Sequence, residues 1–363
     1  MLVNTAPTHE LGFVFGRFDP PHLPHKALAL ELKKKVKRLA IGLGSYRCAP
    51  NIINPFPAIL RKEMWQAMLP DEELLFFEVH DTLYNEAQWD LNFECSLMKI
   101  LRHQGGNIDF GDIACIGHKK KGDKSTFYLD KFKSKFKYYP YKTKSEINAT
   151  DIRFGLFGNG YYQSEKGKIH WTHDLDPKVV DWLVSRFLPT DAFIHLQEEQ
   201  KKVQDYKEKH QGQVKRFGVT AMTGDAIVTY GASVLVGYRK GFPGKGQIAF
   251  PGGFVNPNEN TVDAMLRELT EETSITLRKD QLKFLIKNQR VFGNPRRDPR
   301  GRIYSHGFHI RLDDTLPCPY PIGGSDLKNP FFMPIREFYE NSHQVAFDHV
   351  QMLDWFIHGG DDY

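Results

Sequence analysis

The stretch from Pro251 to Ile275, PGGFVNPNENTVDAMLRELTEETSI, constrains this chain more than any other. Its turn residues Gly252, Gly253, Asn256, Pro257 and Asn258 predict a loop. Apolar Val262, Met265, Leu266 and Leu269 then recur at helical spacing, which predicts a helix from Thr261 to Thr273. On that helix Glu268, Glu271 and Glu272 stand at i, i+3 and i+4 and share one face. Carboxylates so close repel one another unless a cation lies among them. Oxygen-only ligands favour a hard ion such as Mg²⁺ (or Mn²⁺), which keeps waters and grips substrate phosphates. Taken alone, the three glutamates describe a solvated acidic face better. Gly253, Glu259 and Arg267 at fixed spacing before them turn the reading to a metal site.

These residues resemble the Nudix box, the loop–helix–loop signature of Mg²⁺-dependent hydrolases of nucleoside diphosphates linked to another group. Gly253, Glu259, Arg267, Glu268, Glu271 and Glu272 match its fixed positions. Ser274 departs from it, standing where the family usually has a Gly that would supply a left-handed cap. The resemblance implies Glu268, Glu271 and Glu272 as metal ligands, the last two being catalytic.

A length of 363 residues predicts two domains or more, each with its own core. Hydrophobic content of 40% excludes wholesale disorder. Cys48, Cys95, Cys115 and Cys318 are scattered and form no CxxC pair, which argues for a reducing cytoplasm and against structural zinc or disulfides. No run approaches a membrane span and no signal-like apolar segment follows the start, so a soluble cytoplasmic protein is expected. The basic excess is local: residues 119 to 144 carry ten lysines against Asp123 and Asp130. Interleaved Phe and Tyr allow a nucleic-acid reading. A lysine-rich surface beside an anionic small-molecule site is the plainer one, and nucleic acid is not the expected partner.

In the first half, Leu11 to Phe15 predicts a buried strand ending at Gly16. The turn GRFDPPHLPH feeds an amphipathic helix, and Leu39 to Leu43 completes a strand–helix–strand unit. Ligands of such α/β sheets sit outside the carboxyl ends of the strands, where His22 and His25 fall. A helix N-terminus favours anions, and two imidazoles beside it can donate to phosphoryl oxygens. This turn resembles the GRFxPxHxGH segment of the nicotinamide mononucleotide (NMN) adenylyltransferases. Residues 43–64, Asp81 to Trp89 and Gly117 to Leu129 resemble later loops of that family, and Ile147 to Arg153 its closing ISxTxxR motif. Pro24, Asp19 and Asn148 replace the usual Gly, Gln and Ser.

The resemblance implies a Rossmann-like domain with a parallel sheet, in which the NMN phosphate attacks the α-phosphorus of ATP to give NAD and pyrophosphate. His22 and His25 would hold the triphosphate, Arg153 the outgoing phosphates, with Mg²⁺ as bridge. Gly16, Arg17, Phe18, Asn85, Ile147 and Thr150 would contact nucleotide. Trp89 is a stacking platform or a core residue in equal measure.

Leu188 to Gln213 turns polar after Leu196 and reads as a connecting helix. The expected boundaries are 1–190 for the transferase, 191–213 for the connection and 214–363 for the hydrolase. Val219 to Arg239 predicts strands joined by turns at Gly224 and Gly231, and Gln247 to Phe250 one more strand. Arg296, Arg297, Arg300 and Arg302 crowd a Pro- and Gly-bearing turn suited to a diphosphate. That turn resembles the RDPRGR loop of Nudix enzymes that cleave ADP-ribose, which implies Arg297 and Arg300 on substrate and a mixed sheet between helices. The base is left open among Asp326, Glu337 and Glu340. The whole chain is thus expected to be a bifunctional α/β enzyme similar to the NMN adenylyltransferase/Nudix hydrolase fusions, with ATP, NMN and ADP-ribose as partners. Another nucleoside diphosphate derivative, capped RNA, or an ADP-ribose-sensing role are the alternatives for the second half. Association into homo-oligomers is left open.

Overall fold

The computed structural model describes residues 7–103, 109–118, 128–143, 147–164, 167–210 and 220–359. Its contacts divide the chain into two compact units. The first comprises residues 1–47, 54–81 and 87–197; the second takes 198–363 together with the short segments Cys48–Ile53 and Thr82–Glu86.

The first unit is built on five parallel strands: β1 (His9–Gly16), β2 (Val36–Tyr46), β3 (Leu74–His80), β4 (Ala114–Gly117) and β5 (Lys137–Pro140). Between them run α1 (Leu23–Lys33), α2 (Ala58–Met68), α3 (Glu86–His103) and α4 (Tyr128–Lys135). The sheet order is β3-β2-β1-β4-β5, so the chain reverses its winding between β1 and β4. Open α/β sheets bind ligands at the carboxyl ends of the strands beside such a reversal, and β1 ends at Gly16, directly before the histidine turn. The strands read as apolar runs because both faces are covered: Leu11, Phe13, Val14, Leu39, Ala40 and Ile41 are almost fully buried. Then follow α5 (Ala149–Phe157), the hairpin β6 (Tyr161–Ser164) and β7 (Gly167–His170), and α6 (Pro177–Trp182), which continues as one π-helical turn, Leu183–Phe187.

Helix α7 (Asp191–Lys209) begins in the first unit and ends in the second. Its Glu199, fully buried, accepts the N–H groups of Ile52 (3.0 Å) and Gly244 (3.2 Å). The second unit contains the mixed sheet β10-β9-β8-β13-β12, with β11 on β8 and β14 on β9. Its strands are β8 (Thr220–Tyr230), β9 (Ser233–Arg239), β10 (Ile248–Ala249), β11 (Gly252–Phe254), β12 (Ile286–Phe292), β13 (Arg302–Arg311) and β14 (Leu327–Pro334). Only β8 and β13 run parallel in it. Its helices are α8 (Thr261–Thr273), α9 (Lys279–Leu285), α10 (Ile335–Glu340) and α11 (His349–His358).

One sequence expectation is corrected here. Gly224 is not a turn but lies inside β8, where α8 crosses so closely that a Cβ would run into the Thr261 carbonyl and the Met265 amide. The turn falls at Gly231 alone, whose φ is +55°. Cys48, Cys95, Cys115 and Cys318 form no disulfide with one another. Among the described residues no helix is long and apolar enough to cross a membrane.

Candidate active sites

In the first unit His22 is the N-cap of α1, and Leu23, Pro24 and His25 form its first turn. His22 is 4% exposed, and the two imidazoles stack at 3.6 Å between centroids. The His22 N–H donates to His25 Nδ1 at 3.3 Å, which puts the proton of a neutral His25 ring on Nε2. Phe18, buried and at φ +51°, packs edge-on against His25 and Trp65 and closes the turn behind them.

Two buried arginines fasten this turn. Arg61 of α2 donates to the carbonyls of Arg17 (2.6 Å), Gly44 (2.7 Å) and Ser45 (3.3 Å). Arg153 of α5 donates to the Asp19 carbonyl at 2.5 Å and to Thr150 Oγ1 at 3.1 Å. Burial lowers the Arg153 guanidinium to about 10. Asp19, 2% exposed, accepts the Phe56 N–H at 3.2 Å. Its carboxyl is raised by burial against the opposing charges of Arg61, Arg153 and Arg17.

Several expected nucleotide contacts have other surroundings. Arg153 is turned inward onto the histidine turn, because a guanidinium beside a buried carbonyl is satisfied there. Trp89 is 6% exposed and stacks in the core with Phe93 and Tyr128, so the packing reading of that residue holds. Asn85 lies in a turn closed by Thr82, in the segment grouped with the second unit. Arg17 donates to Asn54 at 3.3 Å. Ile147 is half-buried, and Thr150 is exposed with its N–H on the Asn148 cap. Of the lysine-rich stretch, 119–127 and 144 fall outside the described residues. Lys131, Lys133 and Lys135 pair with Asp90, Asp130 and Glu94, an ordinary salt-bridged helix face.

In the second unit the helix runs from Thr261 to Thr273 as the spacing predicts, capped by Asn260, whose side chain accepts from Val262 and Asp263. Arg267 is the hub of the loop–helix junction. It donates to Glu259 (2.6 Å), Glu268 (2.6 Å), Glu271 (3.4 Å) and the Phe254 carbonyl (3.0 Å). Arg267, with the Asn256 amide, holds the Glu259 carboxyl down at about 2. A Cβ on Gly253 would meet the Glu268 carboxylate, so that side chain would have to leave its place beside Arg267.

The three helix carboxylates are not equivalent. Glu271 is exposed and Glu268 half-buried, while Glu272 is 2% exposed and accepts the Gly252 N–H at 2.9 Å. Burial pushes Glu272 up to about 8, with Glu268 and Asp326 adding repulsion and Arg239 opposing it. Glu268 is raised for the same first reason, Arg267 opposing. Among the described residues no three carboxylate, His or Cys side chains converge tightly enough to enclose an ion. Arg267 draws Glu268 and Glu271 toward itself, and Glu272 turns to the Gly252 amide.

Comparison with known proteins decides the lineage. The pattern "NUDIX domain" matches residues 221–356, and "Cytidylyltransferase-like" matches residues 13–153. An ADP-ribose pyrophosphatase of Methanocaldococcus jannaschii is 33% identical over 135 residues, 37% of this chain and 70% of that protein. The chain belongs to the Nudix family. Its first half adds a nucleotidyltransferase domain, and the fusion as a whole has solved relatives. The bifunctional NMN adenylyltransferase/ADP ribose pyrophosphatase of Francisella tularensis matches with 27% identity and a TM-score of 0.83, over 97% of this chain and 100% of that one. The same protein complexed with AMP and Mn ion matches at 26% identity and 0.82, over 96% and 98%. This chain is accordingly an enzyme of combined nucleotidyltransferase and Nudix hydrolase type.

The Nudix half corrects one arginine and adds residues that sequence reasoning missed. Arg297, expected on a diphosphate, is buried and makes a two-point pair with Asp348 (3.0 and 2.9 Å), which also accepts the Tyr84 hydroxyl at 2.5 Å. Removing one partner of such a pair leaves an uncompensated buried charge. Asp348→Ala is expected to cost about 3–5 kcal/mol in denaturant unfolding of the full chain. A loss below about 1 kcal/mol would show that Arg297 is held by something else. Asp326 stands near the Nudix carboxylates, its charge felt at both Glu268 and Glu272. Glu337 and Glu340 are exposed, Glu340 pairing with Arg336. Nothing local in the sequence separates these three.

Ser274 adopts the left-handed cap conformation itself, at φ +59°. The following chain completes the helix end: the N–H groups of Ile322, Gly324 and Ser325 donate to the carbonyls of Thr273 (2.9 Å), Glu272 (3.2 Å) and Glu271 (3.3 Å). A Cβ on Gly324 would run into the Glu271 carbonyl. This docking brings Asp326 to the Nudix helix.

Proposed function

We propose that the chain makes NAD from ATP and NMN in its first half and hydrolyses ADP-ribose to AMP and ribose 5-phosphate in its second. The observation that carries the reading is the placement of both motif sets. The histidine pair caps a helix at the carboxyl end of β1, beside the point where the sheet reverses. The Nudix loop and helix are locked by Arg267 through Glu259 and Glu268, and Glu272 is fixed by the Gly252 N–H.

In the first half the work is positioning and charge stabilisation. The α1 N-terminus attracts the triphosphate, and His25 Nε2–H with His22 donates to its phosphoryl oxygens as charge shifts to pyrophosphate. Arg61 and Arg153 act through the turn, keeping its backbone in place.

In the second half a divalent cation fits the donor set. All the ligands are oxygens, and Glu268 and Glu272 are forced toward neutrality by burial and by one another, a cost that a cation offsets. Glu268, Glu271 and Glu272 would hold it, with Mg²⁺ the expected ion. When bound it neutralises diphosphate charge and makes an attacking water easier to deprotonate. Asp326 is the carboxylate best placed to take that proton. The test is metal removal: dialysis against EDTA should abolish AMP release from ADP-ribose, and Mg²⁺ or Mn²⁺ should restore it. Undiminished hydrolysis after chelation would contradict the assignment.

A further inference from the structure

The transferase unit carries an apolar surface that its histidine turn does not use. It lies where α2, α6 with its π-helical turn and the start of α7 come together. A hollow of about 410 Å³ opens there, with Leu60, Trp182 and Phe187 as apolar walls and Glu63 and Arg186 as its charged groups. Two isoleucines stand beside it, Ile59 at 61% exposure and Ile194 at 60%. Ile59 is one helical turn before Glu63 on α2 and shares its face. Ile194 donates its N–H to the carbonyl of Thr190, another residue of the hollow, and so lies one turn beyond it. Arg61, which fastens the histidine turn, projects from the opposite side of α2.

A single exposed isoleucine needs no explanation, but two flanking an open, aromatic-walled hollow form a patch of the kind that meets another protein. Trp and Arg within it are residue types that anchor such contacts. The polar groups identify the partner. Glu63 Oε2 accepts from Trp182 Nε1 at 3.2 Å and from Arg186 Nη1 at 3.5 Å. The Arg186 side chain is largely exposed and that of Glu63 partly so. Held so loosely at the surface, the ion pair contributes little within one chain, and either member can turn outward. The patch therefore offers an acid beside a base, and a hollow beside projecting side chains. A surface with both halves of each match is complementary to itself, which a two-fold axis requires.

We propose that this patch is a dimer interface with a second copy of the chain, the two copies related by a two-fold axis. Arg186 of each copy pairs with Glu63 of the other, and the isoleucines of each close over the other's Trp182 and Phe187. The charges set the register and the apolar contact supplies the affinity.

Sedimentation velocity on the full chain tests it. Between about 1 and about 100 µM the parent should pass from monomer to dimer, the range expected of a small interface. Glu63→Arg and Arg186→Glu each set like charges across the axis, and each should weaken the dimer on the order of tenfold or more. The double change, Glu63→Arg with Arg186→Glu, restores opposite charges and should bring the dimer constant back to within about threefold of the parent. That variant also separates a lost contact from a lost fold, and the circular-dichroism melt of each single variant should match the parent. A parent that stays monomeric across the range overturns the proposal and leaves the hollow to another occupant. So does a dimer that neither single variant weakens, since its interface lies elsewhere, or one that the double variant fails to restore.

Discussion

Glu272→Gln is expected to lower kcat/KM for ADP-ribose on the order of a thousandfold while leaving NAD synthesis by the same chain unchanged. Glu272 is 2% exposed and oriented by the Gly252 N–H. The amide keeps the shape and can keep that hydrogen bond through its oxygen, but it removes the charge that a cation would need. Because burial and the neighbouring carboxylates already disfavour the ionised form, the neutral amide should not destabilise the fold. Both activities are read from one preparation, AMP release and NAD formation side by side. Loss of both would contradict two separate sites.

His22→Ala should give the opposite pattern, with NAD formation down on the order of a hundredfold or more and ADP-ribose hydrolysis intact. The His22 ring is stacked on His25 at the start of α1, where the proposed function needs donors to phosphoryl oxygen. Alanine removes the ring and leaves the turn, which Arg61 and Arg153 fasten through backbone carbonyls. His22→Asn offers a second variant that retains a capping side chain. Unchanged adenylyl transfer in both would remove His22 from the mechanism.

The elements nearest the chemistry were legible in the sequence because their constraints are local. Helix spacing gave Thr261 to Thr273 with correct ends, and the strand–turn–helix punctuation put His22 and His25 at the end of β1. What sequence could not show was direction. Arg297 and Arg300 sit in one short turn, yet one pairs with buried Asp348 and the other reaches Tyr206 and Phe254. Arg153 and Trp89 likewise face inward, and only packing reveals it. Asp326 is separated from the Nudix helix by half a hundred residues, and the carbonyl docking of residues 322–325 that brings it there leaves no local pattern. Gly224 was misread for a related reason: its glycine answers to a helix crossing above, not to a turn.

The most direct test of the two-site account is to incubate the purified chain with Mg²⁺ and two substrate sets in parallel, ATP with NMN in one tube and ADP-ribose in the other. The account predicts NAD and pyrophosphate in the first, and AMP with ribose 5-phosphate in the second. Absence of either product pair from a folded, metal-loaded chain would contradict it.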